Sequence, residues 1–265
     1  MSRPEQLRQS VEKVTRVFYQ MIKSRTQNEQ GHISFFRYVS AYIVAYLYGS
    51  LPLVYFLSRQ SGVNLKQSGS GNVGAANLLA VAGLNRAVIG LLFDVSKGSL
   101  PILACRQLGY PPEVAELAGV CGVVGQCWPI FLRFNGGRGI SSFIGASFFI
   151  NRKGWVISVL SMIAGAICRI LSSYSYFLCE PGSQLKMNRS KSAPFGCFLG
   201  ILTFPLICYL DQHQKRKQHL APVLLSFIIL GRRLTAPLPD DIIHGPTQNK
   251  KALLHRLLYD RNTSC

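Results

Sequence analysis

Polar side chains set among glycines are the part of this sequence best suited to chemistry, and the first such segment covers residues 69–77. It reads Gly-Ser-Gly-Asn-Val-Gly-Ala-Ala-Asn and stands just before an apolar stretch. Glycine permits positive φ angles and close backbone approach, so consecutive N–H groups can converge on an anion, and a following helix start adds its dipole. We therefore predict an anion-binding loop, with a simple tight turn as the alternative. Its predicted members are Gly69, Ser70, Gly71, Asn72, Gly74 and Asn77.

A second glycine-rich segment, Phe-Asn-Gly-Gly-Arg-Gly, covers residues 134–139 and follows a Trp-Pro pair at 128–129. Three glycines surround its one arginine, and a planar guanidinium in such a loop is suited to bidentate phosphate binding. The plain alternative is a connector whose arginine contacts lipid headgroups. The predicted site members in this segment are Gly136, Gly137, Arg138 and Gly139.

The third segment places two charges in the middle of an apolar run. Asp94 and Lys97 are three residues apart, so on a helix they share a face and can form an ion pair. Charges inside a membrane are costly and usually face a protein interior or a polar cavity, which makes the pair a functional candidate; a purely structural ion pair is the alternative. Arg169 and Ser175 end another apolar run and could reach the same side.

The elements that must position these residues are long apolar runs. A helix needs roughly 20 apolar residues to cross a bilayer core of about 30 Å, and several runs in this chain approach that length. We predict an all-α, polytopic integral membrane protein with about 5–7 transmembrane helices and short Gly-rich re-entrant or interfacial loops. The alternative is a soluble helical core. The long runs are 36–57, 87–105, 114–134, 155–171 and 192–210, and the short ones are 140–150 and 220–230.

Composition agrees with this class and points to anions. The 265 residues are 48% hydrophobic and 15% charged, which excludes a disordered tail and a small disulfide scaffold. Lys and Arg number 29 against 11 Asp and Glu, for a net charge of +18. Six of the basic residues precede position 36 and nine follow position 210. Charge at the two ends is better explained by anionic headgroups and membrane topology than by nucleic acid.

The same distribution suggests three parts. Residues 1–35 form a basic arm whose apolar residues recur at near-helical spacing, so it is either an amphipathic interfacial helix or a solvated arm. Residues 36–230 form the membrane-embedded domain, and residues 231–265 a basic tail. The positive-inside rule places that tail in the cytoplasm. The eight cysteines have no zinc-type spacing and the five histidines lie outside the apolar runs, so we expect no metal site. We also expect no cofactor.

In their order along the chain, these segments resemble the PlsY-type acyl-phosphate:glycerol-3-phosphate acyltransferases of bacteria. The resemblance covers residues 40–178 and rests most on GSGNVGAAN followed by FNGGRG. It implies a membrane enzyme of about seven helices. That enzyme would move an acyl group from acyl phosphate to the 1-hydroxyl of glycerol 3-phosphate, giving lysophosphatidate for phospholipid biosynthesis. It would need no coenzyme A, acyl carrier protein or metal, and would lie in a bacterial plasma membrane.

Carried over by position, the resemblance gives each candidate residue a role. Ser70, Lys97, Arg138 and Ser175 would be catalytic. The substrate-binding residues would be Gly69, Gly71, Asn72, Gly74, Asn77, Gly136, Gly137, Gly139 and Arg169.

The chain departs from the family pattern at several anion contacts. Ala80 stands where the family has Arg, Gln126 where it has His, and Arg138 where it has Lys. The family's C-terminal His-Arg-Glu-Asn segment has no clear counterpart, and the nearest basic cluster is at 232–233. Three interpretations therefore remain open at this point. They are a divergent acyltransferase, a catalytically inactive relative that binds lipid or partners, and a membrane transporter of anions.

Overall fold

The computed structural model describes residues 34–179, 192–211 and 220–235, with side chains except at 169–170, 172–179 and 192–194. The residues described are helical or in connecting loops, and none lies in a strand, which confirms the all-α prediction. The helices are α1 (34–50), α2 (Leu53–Gln60), α3 (Ala75–Ala82), α4 (Leu84–Gln107), α5 (Pro112–Cys127), α6 (Ile140–Ile150), α7 (Arg152–Cys179), α8 (Ser192–Leu210) and α9 (Leu220–Thr235).

The chain divides into two compact units, Met1–Ile43 and Val44–Cys265. The described part of the first unit is residues 34–43, which are helical. All the candidate residues lie in the second unit, and the contacts reported below are within it. Residues 1–33 and 236–265, which include nearly all of the predicted arm and tail, lie outside the described residues.

Three helical segments are long and apolar enough to cross a bilayer: Ser34–Gln60, Leu84–Gln107 and Pro112–Leu132. Two shorter apolar helices cover Ile140–Ile150 and Phe195–Leu210. Helices satisfy their own backbone polar groups, which is what a hydrocarbon environment requires. Only the described residues enter this count, so the total of about 5–7 crossings stays a prediction.

Helix α4 is held tightly by its neighbours because glycines remove side chains at the contacts. A Cβ at Gly98 would collide with the carbonyl oxygen of Ser142 on α6, and one at Gly122 on α5 would collide with the carbonyl of Lys97. The Ser142 hydroxyl also donates to the Asp94 carbonyl over 2.7 Å. Small residues allow backbones to approach closely in membranes. The turn of α4 that holds Asp94 and Lys97 is thereby fixed between two helices.

Helices α7 and α8 pack in the same way. Gly196 and Gly200 stand four residues apart on α8 and face two serines of α7. The Ser158 hydroxyl donates to the Gly200 carbonyl over 2.7 Å, and the Ser161 hydroxyl donates to the Gly196 carbonyl over 3.1 Å. The interface therefore combines close approach with interhelical hydrogen bonds.

Helix α9 continues past the position where we expect the tail to begin. It ends at Thr235, and both Arg232 and Arg233 are buried in its last turn. Two arginines at the end of an apolar run suggest a solvated tail, but here their side chains find partners within the fold. The division into arm, embedded domain and tail otherwise stays a prediction.

Candidate active site

A small cavity brings together segments that are far apart in the sequence. It draws on the segment before α2, the first glycine loop, the middle of α4, the end of α5 and the second glycine loop. Its lining residues are Ser50, Leu51, Pro52, Val54, Val73, Asp94, Lys97, Gln126, Pro129, Leu132, Gly136 and Gly137. Motifs that the sequence shows only as separate stretches therefore meet at one place.

Lys97 is the charged centre of this cavity. Its side chain is 2% exposed, and its Nζ lies 3.1 Å from Oδ1 of Asp94, which is 1% exposed. The ammonium also donates to Oε1 of Gln126. An ammonium has three N–H donors, and these two partners account for two of them. The ion pair keeps a positive charge at a depth where an unpaired charge would be very costly.

Gln126 was not predicted as a site residue. In the sequence it stands out only because the family has histidine at this position. Its side chain is buried and lines the cavity beside Lys97. Its main-chain carbonyl also accepts from the N–H of Gly137 over 3.1 Å. Gln126 therefore links the charged pair on α4 to the second glycine loop.

The first glycine loop is held in shape by Asn77 on α3. The Asn77 side chain is buried, and its Oδ1 accepts from the Ser70 N–H over 2.9 Å. Its amide nitrogen donates to the carbonyls of Leu65, Ser68 and Asn72 over 3.2, 3.0 and 3.0 Å. These contacts show that Asn77 positions the loop, and its predicted contact with substrate stays a prediction.

Two glycines of this loop adopt conformations that other residues rarely take. Gly69 and Gly71 have φ of 58° and 66°, and a Cβ at Gly69 would collide with Oδ1 of Asn77. Val73 is the loop residue that lines the cavity, whereas Ser70 is half-buried nearby. Contact of Ser70, Gly69, Gly71, Asn72 and Gly74 with substrate stays a prediction.

The second glycine loop is anchored from α9. Arg232 donates from Nη2 to the Gly136 carbonyl over 2.9 Å and from Nε to the Gly137 carbonyl over 3.1 Å. Gly136 and Gly137 line the cavity and are buried, while Arg138 is half-exposed beside them. Gly139 has φ of 76° and leads into α6. Arg138 follows these two glycines directly in the chain, and its contact with substrate stays a prediction.

Besides Arg138 within the loop, a second arginine contacts it: Arg232, which falls in the predicted tail. The guanidinium of Arg232 lies 5.9 Å from the ring centroid of Trp128. Arg233, the next residue, is also buried. The signal that could have found them is their place in the chain, since residues 232–233 are the basic cluster nearest to the family's C-terminal His-Arg-Glu-Asn segment.

Two further predicted site residues, Arg169 and Ser175, lie on α7 where the structure describes the backbone alone. Their roles stay predictions. Among residues 34–179, 192–211 and 220–235, no three His, Cys, Asp or Glu side chains come together as metal ligands.

Comparison with known proteins supplies an independent result. Residues 39–232 match the family model described as glycerol-3-phosphate acyltransferase. A protein of Dehalococcoides mccartyi named glycerol-3-phosphate acyltransferase 4 is 31% identical over 226 residues, which cover 82% of this chain and 86% of that protein. A protein of Rubrobacter xylanophilus named glycerol-3-phosphate acyltransferase is 33% identical over 147 residues, covering 51% of this chain and 74% of that protein.

The fold is also similar to that of a solved structure. The crystal structure described as PlsY (YgiH), an integral membrane glycerol 3-phosphate acyltransferase in its glycerol 3-phosphate form, superposes with a TM-score of 0.58. The two chains are 23% identical, and the match covers 74% of this chain and 88% of that one. With the apolar helices, this likeness confirms the predicted fold class of an all-α integral membrane protein.

Proposed function

The chain belongs to the glycerol-3-phosphate acyltransferase family, and we propose that it is a membrane enzyme that transfers an acyl group to glycerol 3-phosphate. The observation that carries this proposal is the cavity in which Lys97, Gln126 and the second glycine loop meet. A buried ammonium and a loop of glycines and arginine are suited to a phosphorylated substrate. The family match supports the reaction class, and gives no support to a transporter.

We further propose that the donor is acyl phosphate and the product lysophosphatidate. The 1-hydroxyl oxygen of glycerol 3-phosphate forms a bond to the acyl carbon, and the bond from that carbon to the donor's phosphate oxygen breaks. Inorganic phosphate leaves, and the hydroxyl proton passes to a phosphate oxygen of the substrate. Because the donor is already activated, the protein's main tasks are to hold two anions together and to stabilise charge at the carbonyl.

The cavity residues divide these tasks in a way that their chemistry supports. The Lys97 ammonium stabilises the oxyanion that forms at the acyl carbonyl, and it acts in a buried site where such a charge is worth more than in water. Arg138 and the second glycine loop hold a phosphate, since a guanidinium can bind two phosphate oxygens at once. The first glycine loop, with Ser70, holds the other anion.

The assay for this function uses the purified full-length chain in detergent with acyl phosphate and labelled glycerol 3-phosphate. We expect labelled lysophosphatidate, and less of it when acyl coenzyme A replaces acyl phosphate. Ser70→Ala and Arg138→Ala should each lower the rate at least about tenfold, which corresponds to about 1.4 kcal/mol. Folded protein with no product above background would identify a catalytically inactive relative. Wild-type rates in both variants would refute the assigned site.

We also propose a bacterial plasma membrane with the C-terminus in the cytoplasm. The basic residues after position 210 support this orientation. A C-terminal reporter that is active only in the cytoplasm should be active in the fusion, and a reporter that is active only outside the membrane should be silent. The reverse pattern would overturn the orientation and leave the enzymatic proposal intact.

A further inference from the structure

Arg232 makes a set of contacts that a merely buried charge does not need. It is 7% exposed, its two donor nitrogens reach two successive carbonyls of the second glycine loop, and its guanidinium lies against Trp128. Trp128 is fixed in turn, because the Tyr46 hydroxyl donates to its carbonyl over 2.9 Å. Arg232 itself does not line the cavity, although the glycines that it holds do.

This arrangement decides which polar groups of the loop a ligand meets. Both carbonyls accept from Arg232, so each points towards a side chain that is not part of the cavity lining. In a trans peptide the C=O and N–H groups point in opposite directions. The Gly137 N–H accordingly points to the carbonyl of Gln126 on the other side. With the carbonyls of Gly136 and Gly137 turned towards Arg232, their negative ends do not repel an anion in the cavity.

The geometry requires arginine rather than lysine. The guanidinium is a rigid fork whose parallel N–H groups can hold two acceptors at a fixed spacing, and its flat face stacks on an aromatic ring. An ammonium on a flexible stem can reach one carbonyl but cannot hold two carbonyls and stack as well. The loop would then turn more freely about Gly136 and Gly137.

We infer that Arg232 is a positioning residue for the anion-binding loop at 136–139. By keeping two carbonyls out of the cavity, it preorganises the loop for the phosphate group of a substrate and fixes the place of Arg138. The inference rests on the proposed function in one respect only, which is that the anion bound there is a phosphate ester or inorganic phosphate.

The test measures binding of inorganic phosphate to the full-length protein in detergent, together with KM and kcat in the acyltransferase assay. We expect Arg232→Met to weaken phosphate binding at least about tenfold, as for loss of hydrogen bonds from a charged group, with Arg232→Lys between it and the wild type. Arg106→Met is the matched control. Arg106 also donates to a main-chain carbonyl, that of Phe149 over 2.8 Å, and lies 6.0 Å from a ring centroid, but it does not line the cavity.

A second variant separates positioning from folding. In Arg232→Ala, free guanidinium at a sub-denaturing concentration should restore phosphate binding, with no such effect in Arg106→Ala. Unchanged phosphate affinity in Arg232→Met would overturn the inference. The inference would also be overturned if phosphate binding falls in step with Tm and free guanidinium does not restore it. If the wild type forms no lysophosphatidate but Arg232→Met still binds phosphate more weakly than the wild type, the proposed function fails and the positioning role stands.

Discussion

In the ion pair between Lys97 and Asp94, one residue stabilises the buried charge and the other is available for chemistry. Both side chains are almost wholly buried in the apolar middle of α4. Removing one partner of a buried pair leaves an uncompensated charge, whereas replacing both by apolar groups is often nearly neutral. Asp94 is thus needed to keep Lys97 charged at this depth, and Lys97 is the group that can act on an anionic substrate.

We therefore predict that Lys97→Met lowers the free energy of unfolding by about 3 kcal/mol and abolishes acyl transfer. The double variant Asp94→Leu/Lys97→Met should recover most of the lost stability and none of the activity, because no positive charge returns to the cavity. Thermal unfolding in detergent and the lysophosphatidate assay measure the two effects. Recovery of activity in the double variant would show that Lys97 acts through stability alone.

Asn77 shows how one buried amide side chain can control the shape of a loop. Its side chain ties together the chain from Leu65 to Asn72. We predict that Asn77→Ala costs about 2 kcal/mol or more and also raises KM, because several buried hydrogen bonds are lost and the loop loses its shape. Asn64→Ala is the control. Asn64 bonds to Gln67 at an exposed position in the same connector, so its loss should change stability by less than about 0.5 kcal/mol.

Measured KM and melting temperature decide the role of Asn77. A raised KM with little change in melting temperature would assign the residue to the site more than to the fold. If Asn77→Ala and Asn64→Ala behave alike in both measurements, the loop does not depend on Asn77.

The sequence predicted site residues well where polar residues stand among apolar neighbours. Lys97 and the glycines at 136–137 were predicted as site residues, and the structure places them in one cavity. Arg232 was not predicted, because its partners lie 95 and 96 residues earlier and no local pattern reports contacts at that distance. Gln126 was noticed only as a departure, since a lone buried amide has no sequence signature.

The lengths and positions of the apolar runs predicted most of the described helices well, and the helix ends less well. The run at 140–150 agrees with α6, whereas the run at 36–57 is interrupted at 51–52, where Pro52 cannot continue the hydrogen bonding of the preceding helix. Helix α9 extends beyond its run because its terminal arginines have partners inside the protein. Charged residues end an apolar run in the sequence, but in α9 they do not end the helix, and Arg232 is bound within the fold.

The close contact between α4 and α6 at Gly98 can be tested by substitution. Gly98→Ala should cost about 2 kcal/mol or more, because its Cβ would strike the backbone of α6 and neither helix can shift without disturbing the cavity. Gly231→Ala is the control, since a Cβ there meets open space, and alanine is favoured over glycine within a helix. Melting temperatures in detergent compare the two. Equal melting temperatures would show that α4 and α6 are not packed through Gly98.

The basic residues that give the whole molecule its net charge of +18 form two groups with different roles. About half of the basic residues lie near the ends of the chain, where membrane headgroups and topology explain them. A small internal set, with Lys97, Arg138 and Arg232, surrounds the cavity or the loop that lines it. An enzyme that joins two anionic substrates in a membrane needs this internal set, because a phosphate at that depth would otherwise be strongly disfavoured.

This division predicts how ligands change the stability of the intact protein. A ligand that binds only the folded state at about 100 times its Kd stabilises that state by about 2.7 kcal/mol, so glycerol 3-phosphate should raise the melting temperature clearly. Glycerol at the same concentration lacks the phosphate and should have little effect. The shift should be lost in Lys97→Met, which retains the apolar lining but not the charge. An equal shift with glycerol would mean that the cavity recognises the polyol, and the internal positive charges would then need a role other than phosphate binding.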